Sequence, residues 1–128
     1  IGFDAALANR IYAASDFFLM PSKFEPCGLG QLIALRYGAV PIVRATGGLV
    51  DTVPDYTTTP HDGLGFQFKD YDAEQLTEAI QRAITLFRED AAAYYALQNR
   101  GMMHDVSWDH AAPEYATLYT RAMQHHKK

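Results

Sequence analysis

Residues 21–38 read Pro-Ser-Lys-Phe-Glu-Pro-Cys-Gly-Leu-Gly-Gln-Leu-Ile-Ala-Leu-Arg-Tyr-Gly, and this stretch constrains the fold more than any other. The apolar run from Phe17 to Met20 leads into it as a strand. A loop bracketed by Pro21 and Pro26 follows, carrying one carboxylate (Glu25), one thiol (Cys27) and two glycines (Gly28 and Gly30). From about Leu29 to Tyr37, Leu29, Leu32, Ile33 and Leu35 return near helical spacing, and Gly38 suits the residue just past a helix end. A strand–loop–helix junction aims unpaired backbone N–H groups at whatever sits above the loop, and these groups favour an anion, most often a phosphate. A carboxylate there would repel phosphate, so Glu25 suits hydroxyl groups instead. A sugar nucleotide has both.

The rest of the chain continues the alternation. Asp4 caps a first helix with Leu7, Ile11 and Ala14 on one face, closed by Ser15 and Asp16. The strand Phe17–Met20 is uniformly apolar, the pattern of a strand buried on both faces. Val40-Pro41-Ile42-Val43 reads as a second buried strand, with Pro41 tolerated near its start. Thr46-Gly47-Gly48 is a second glycine loop directly after that strand, and Leu49–Val53 forms a short helix. Residues 54–63 are a loop rich in Pro, Thr, Asp and Gly, and Gly65–Phe68 is a third strand. Asp72 caps a helix whose apolar stripe is Leu76, Ala79, Ile80, Ala83, Ile84 and Phe87. Asp90 caps another, through Tyr94, Leu97 and Met102. Trp108 opens a last helix, anchored by its own packing, with Ala112, Tyr115, Ala116, Leu118, Tyr119 and Ala122 on the buried side. Phe17, Phe18, Tyr94 and Tyr95 are core candidates.

Helix–strand alternation of this kind predicts an α/β fold with right-handed crossovers and a short parallel sheet of about three strands. Doubly wound domains usually have five or six strands, and their ligands bind at the strands' carboxyl ends. Both glycine loops lie at such ends.

The chain has 128 residues, enough for one domain. A net charge of −4 without a Lys/Arg stripe argues against nucleic acid. No apolar stretch approaches the roughly 20 residues of a membrane span. A lone Cys27 excludes an internal disulfide and suits a reducing, cytoplasmic setting. His61, His104, His110, His125 and His126 are scattered, so no metal site is expected. The terminal Lys127 and Lys128 read as a frayed polar end. The opening Ile1-Gly2-Phe3-Asp4 does not look like a translation start, so the chain is expected to be a piece of something longer.

Three segments together resemble one family, the bacterial glycogen synthases and plant starch synthases (glycosyltransferase family 5). Pro-Ser-Lys-Phe-Glu-Pro-Cys-Gly-Leu-Gly-Gln-Leu at 21–32 is similar to their donor-sugar motif. Residues 36–53 resemble their second glycine loop, and Ser-Trp-Asp-His-Ala-Ala-Pro-Glu-Tyr at 107–115 their closing helix. The resemblance implies a GT-B fold, two Rossmann-like domains with the active site between them, of which residues 1–128 are the second half of the C-terminal domain. The other domain, its Lys-x-Gly-Gly-Leu loop and catalytic histidine, and the basic residues that neutralise the diphosphate, would lie upstream.

It further implies transfer of glucose from ADP-glucose to the non-reducing end of an α-1,4-glucan, with retention and without cofactor or metal. Glu25 takes the catalytic role of contacting donor-glucose hydroxyls and stabilising positive charge at the anomeric carbon. Cys27, Gly28, Leu29 and Gly30 present N–H groups to the distal phosphate and sugar; Thr46, Gly47 and Gly48 border the diphosphate or nucleoside. The Cys27 side chain is either a small buried thiol or a reactive one, with no catalytic role. Many relatives in the wider fold carry a ribose-binding Glu eight positions after the first; here Ile33 stands there, as in the narrower family. Lys23 and Arg44 are read as surface cations. The fragment alone is expected to be inactive. Two other readings stay open: another GT-B sugar-nucleotide enzyme (a different glycosyltransferase or an epimerase), and a non-catalytic fragment that forms a homodimer through an unpaired sheet edge.

Overall fold

The computed structural model describes Gly2 and residues 4–126, apart from the side chains at positions 110 and 126; Lys127 and Lys128 lie outside the described residues. The element order is α1 (Ala5–Ala14), β1 (Phe17–Met20), α2 (Gly30–Tyr37), β2 (Val40–Arg44), α3 (Gly48–Thr52), β3 (Phe66–Phe68), α4 (Ala73–Glu89), α5 (Ala91–Met103) and α6 (Trp108–His126). Three strands in the order β1-β2-β3 make an all-parallel sheet. The register pairs Phe17 with Val40 and Ile42 with Phe66.

Local chemistry accounts for the helix ends. The Asp4 carboxylate accepts from the Leu7 N–H, Asp72 from Glu74 and Gln75, and Asp90 from Ala93. Gly38 ends α2 in the left-handed region at φ 82°. Pro41 sits in the central strand without a lost ladder bond: the Val40 N–H donates to Asp16 O on the β1 side, so Pro41's nitrogen faces the other side, where pairing with β3 starts only at Ile42.

Side-chain alternation along β2 builds two layers. Val40 and Ile42 join Phe66, Phe68, Ala79, Ala83, Tyr94 and Leu97 under α4 and α5, with Phe17, Leu76 and Ile80 at the border. Val43 points to the opposite face and packs with Leu49, Val53 and Met20. Phe17, Phe87 and Tyr94 meet edge to face, at centroid separations of 4.8–5.8 Å.

Four expectations are corrected. β1 is an edge strand in this sheet, so its residues are half-buried and Leu19 is 48% exposed. Tyr94 is in the core, but its neighbour Tyr95 points outward, as helical geometry requires of adjacent residues. Leu7 and Ile11 of α1, Leu29 at the cap of α2 and Ile33 within it are exposed; the residues α2 buries are Gln31, Ala34 and Leu35. Among the described residues of α6 no side chain is buried: Tyr115, Leu118 and Tyr119 are exposed, and Trp108, itself exposed, makes a ring contact with Tyr115 of the same helix.

Candidate functional site

The site expected at the carboxyl ends of the strands is two loops in backbone contact. β1 delivers residues 21–29, and β2 delivers residues 45–47 beside them. The Gly48 N–H donates to both Glu25 O and Pro26 O at 3.1 Å. A Cβ on Gly47 would lie 1.9 Å from Glu25 O, and one on Gly48 would lie 2.6 Å from Cys27 O. The backbones approach so closely that only glycine fits on the second loop. Gly47 also needs its freedom for another reason, since it sits at φ 50°, ψ −136°.

The first loop enters α2 without a side-chain cap; Leu29 occupies the cap position, and the first intrahelical bond runs from Ile33 N–H to Leu29 O. Among the described residues the N–H groups of Gly28, Leu29, Gly30 and Gln31 have no acceptor. These orphan donors open α2 at the positive end of its dipole, with Gly28 at φ 78°. The Glu25 side chain is half-buried on the same loop and makes no hydrogen bond or ion pair to a described residue. Cys27 is a free, exposed thiol, which removes the buried alternative. Thr46 is half-buried, and its carbonyl accepts from Leu49 N–H at 3.2 Å. The structure thus brings Glu25, Cys27, Gly28, Leu29, Gly30, Thr46, Gly47 and Gly48 to one patch.

Side chains that the sequence did not single out hold this patch. Gln31 is fully buried and donates to Cys27 O, Gly28 O and Thr52 Oγ1. Arg44, read from sequence as a surface cation, is half-buried instead. Its guanidinium donates to Ser22 O, Lys23 O and Lys69 O and lies over the Tyr71 ring. It ties the root of the Glu25 loop to the end of β3, a use of the planar fork that a lysine does not reproduce. Lys23 remains exposed. Gln67 in β3 holds the far end of α3, the helix that follows the second loop, donating to Val53 O at 2.7 Å. No group of three or more metal-ligating side chains occurs among the described residues. A concavity of about 480 Å³ between α2 and the α5–α6 connection contains none of the patch residues.

The parallel α/β topology places two glycine loops at the strand ends, one of them carrying an unpaired carboxylate and leading into a helix without a side-chain cap. Consistent with that, the chain belongs to the family "Glycosyl transferases group 1", whose sequence model matches residues 4–98. It is similar to glycogen synthase of Desulforudis audaxviator (57% identical over 124 residues, 97% of this chain and 25% of that protein). It is also similar to glycogen synthase of Moorella thermoacetica (52% over 124 residues, 97% and 26%). The chain therefore spans about a quarter of the length of these relatives. Among solved structures, the catalytic domain of starch synthase IV from Arabidopsis thaliana, bound to ADP and acarbose, superposes with a TM-score of 0.88 at 43% identity, over 97% of this chain and 26% of that one. Sucrose-phosphate synthase from Thermosynechococcus elongatus superposes with a TM-score of 0.68 at 28% identity, over 97% and 30%. The resemblance in the 21–32 motif and the parallel α/β fold are both borne out.

Proposed function

We propose that this chain is the donor-facing part of the C-terminal domain of a retaining glucosyltransferase of the glycogen (starch) synthase type. Its parent transfers glucose from ADP-glucose to the non-reducing end of an α-1,4-glucan in the cytoplasm. The observation that carries this reading is the pairing, on one loop, of an unpartnered Glu25 carboxylate with the free N–H groups of Gly28, Leu29 and Gly30. That loop sits in a backbone closely similar to a starch synthase that holds ADP.

The chemistry follows from the geometry. Free N–H groups at a helix start donate hydrogen bonds to a phosphate. Glu25 accepts hydrogen bonds from sugar hydroxyls and lowers the energy of an oxocarbenium-like transition state as the diphosphate leaves. Thr46, Gly47 and Gly48 border the diphosphate or nucleoside from the neighbouring loop. Ile33, 39% exposed on α2, offers nothing to ribose hydroxyls, which favours the glycogen synthase type over other GT-B transferases and epimerases.

The test is transfer of labelled glucose to glycogen. A longer protein containing this chain is expected to use ADP-glucose faster than UDP-glucose, with retention. Glu25→Ala is expected to lower its kcat roughly a hundredfold or more. The 128 residues alone are expected to give no transfer, since half the cleft is missing; a full rate from them would overturn the reading. A second reading rests on the outer edge of β1, which pairs with no described strand and leaves Leu19 half exposed. Such an edge favours pairing with a second copy. Sedimentation at high concentration tests it, and a clean monomer contradicts it.

A further inference from the structure

We propose that Gln31 and Thr52 form a buried polar strut that fixes the two glycine loops relative to each other, as positioning residues that touch no donor atom. The idea rests on the donor-loop reading for its functional meaning, but its test uses no nucleotide and stands or falls separately.

Gln31 is 0% exposed in a helix whose other buried side chains are Ala34 and Leu35. Its amide nitrogen has two protons and three acceptors in reach: Cys27 O at 3.2 Å, Gly28 O at 3.0 Å and Thr52 Oγ1 at 3.0 Å. Thr52 spends its single proton on Gly48 O at 2.8 Å, so towards Gln31 it only accepts. The amide orientation is therefore determined: turned over, Oε1 would face three acceptors. The other end of the group is left wanting, because Oε1 is buried and has no partner among the described residues.

A side chain present only to fill this space would be apolar, since a buried acceptor without a donor carries a penalty that a methionine or leucine avoids. What the glutamine supplies is its donor end, directed at the first loop and at Thr52 of α3, which in turn holds Gly48. The connection is a closed ring. Gln31 holds Cys27 and Gly28, Thr52 links Gln31 to Gly48, and the Gly48 N–H returns to Glu25 O and Pro26 O. Gly28 rests on the strut so closely that a Cβ there would lie 2.4 Å from Oε1. The strut thereby sets the left-handed turn at Gly28 and the direction of the N–H groups that follow it.

The test is amide hydrogen exchange on the 128-residue chain, read at Gly48, whose N–H closes the ring, and at Val40, whose N–H bonds to Asp16 O far from it. Thr52→Val is expected to speed Gly48 exchange roughly fivefold and Gln31→Met roughly tenfold or more, with Val40 changing much less. Thr52→Ser, which keeps the hydroxyl, is expected to match wild type. The proposal is overturned if Gly48 is unprotected in the wild type or is unaffected by the variants. It is equally overturned if Val40 accelerates by the same factor, or if the serine behaves as the valine does. Should Gln31→Met fail to fold, the two Thr52 variants decide by themselves.

Discussion

Replacing Gly47 by alanine tests the claim that two backbones meet with no room between them. Gly47 lies at φ 50°, ψ −136°, where a side chain costs about 1–3 kcal/mol. The new Cβ would stand 1.9 Å from Glu25 O, whereas ordinary contact begins at 3.4 Å, so the Glu25 carbonyl must retreat by 1.5 Å (3.4 less 1.9). That retreat loosens the bonds from Gly48 N–H to Glu25 O and Pro26 O, a further loss of about 1 kcal/mol. The sum is about 2–4 kcal/mol, a large share of a small domain's stability. Gly30→Ala is the control. Its Cβ would meet side chains rather than backbone, the Phe18 ring at 3.0–3.3 Å and the Tyr12 hydroxyl at 3.5 Å, and alanine is favoured over glycine in a helix by up to about 1 kcal/mol, so the net change stays within about 1 kcal/mol. Urea unfolding followed by circular dichroism, at equal m-value, measures both. A Gly47→Ala protein within about 0.5 kcal/mol of wild type would refute the reasoning. So would a Gly30→Ala protein destabilised as much as Gly47→Ala.

Arg44→Lys keeps the charge but cannot span Ser22 O, Lys23 O and Lys69 O, and is expected to cost about 1–3 kcal/mol in the same urea assay. Tyr94→Phe keeps the aromatic cluster and removes the bond from Tyr94 OH to Asp16 O, for about 1 kcal/mol at neutral pH. Burial, with the Asp16 charge adding to it, pushes the Tyr94 hydroxyl up from 10.0 to about 12. The folded state thus holds a proton that the unfolded state releases. The associated stability is complete below pH 10, falls between pH 10 and 12 by on the order of 2 kcal/mol, and is gone above. Tyr94→Phe should flatten that alkaline limb; an unchanged limb would show that another group causes it. None of the described side chains of α6 is buried, and Pro113 interrupts its backbone bonding, so its amides are expected to exchange with little protection beside those of β2.

Features set by neighbours in the chain were legible in the sequence. Asp4, Asp72 and Asp90 cap helices because a carboxylate reaches an N–H two or three residues on, and Phe17–Met20 and the Gly38 stop are equally local. The site's outline was legible because both glycine loops follow apolar strands. What holds the site was not. Gln31 looks like the polar side of a short helix, and its partner Thr52 lies 21 positions away in α3. Arg44 likewise bonds carbonyls 21–25 positions distant, which no pattern of spacing reveals. The apolar faces of α1 and α6 read as buried because periodicity reports a face that wants cover and carries no information on whether these 128 residues supply it. No apolar stretch of the sequence approaches the length of a membrane span, and no helix among the described residues is long and apolar enough to cross a membrane.

In the proposed function the Glu25 loop binds the donor's phosphate through its backbone and its sugar through its carboxylate. Amide chemical shifts of the labelled chain, titrated with ADP and then with ADP-glucose, test it most directly. The account predicts the largest shifts at Gly28, Leu29, Gly30 and Gly48 for both ligands. It also predicts an additional response to the glucosyl group that Glu25→Ala abolishes while leaving the response to ADP in place. Shifts centred elsewhere, such as the concavity beside Arg36 and His104, would contradict it, as would a sugar response that survives Glu25→Ala.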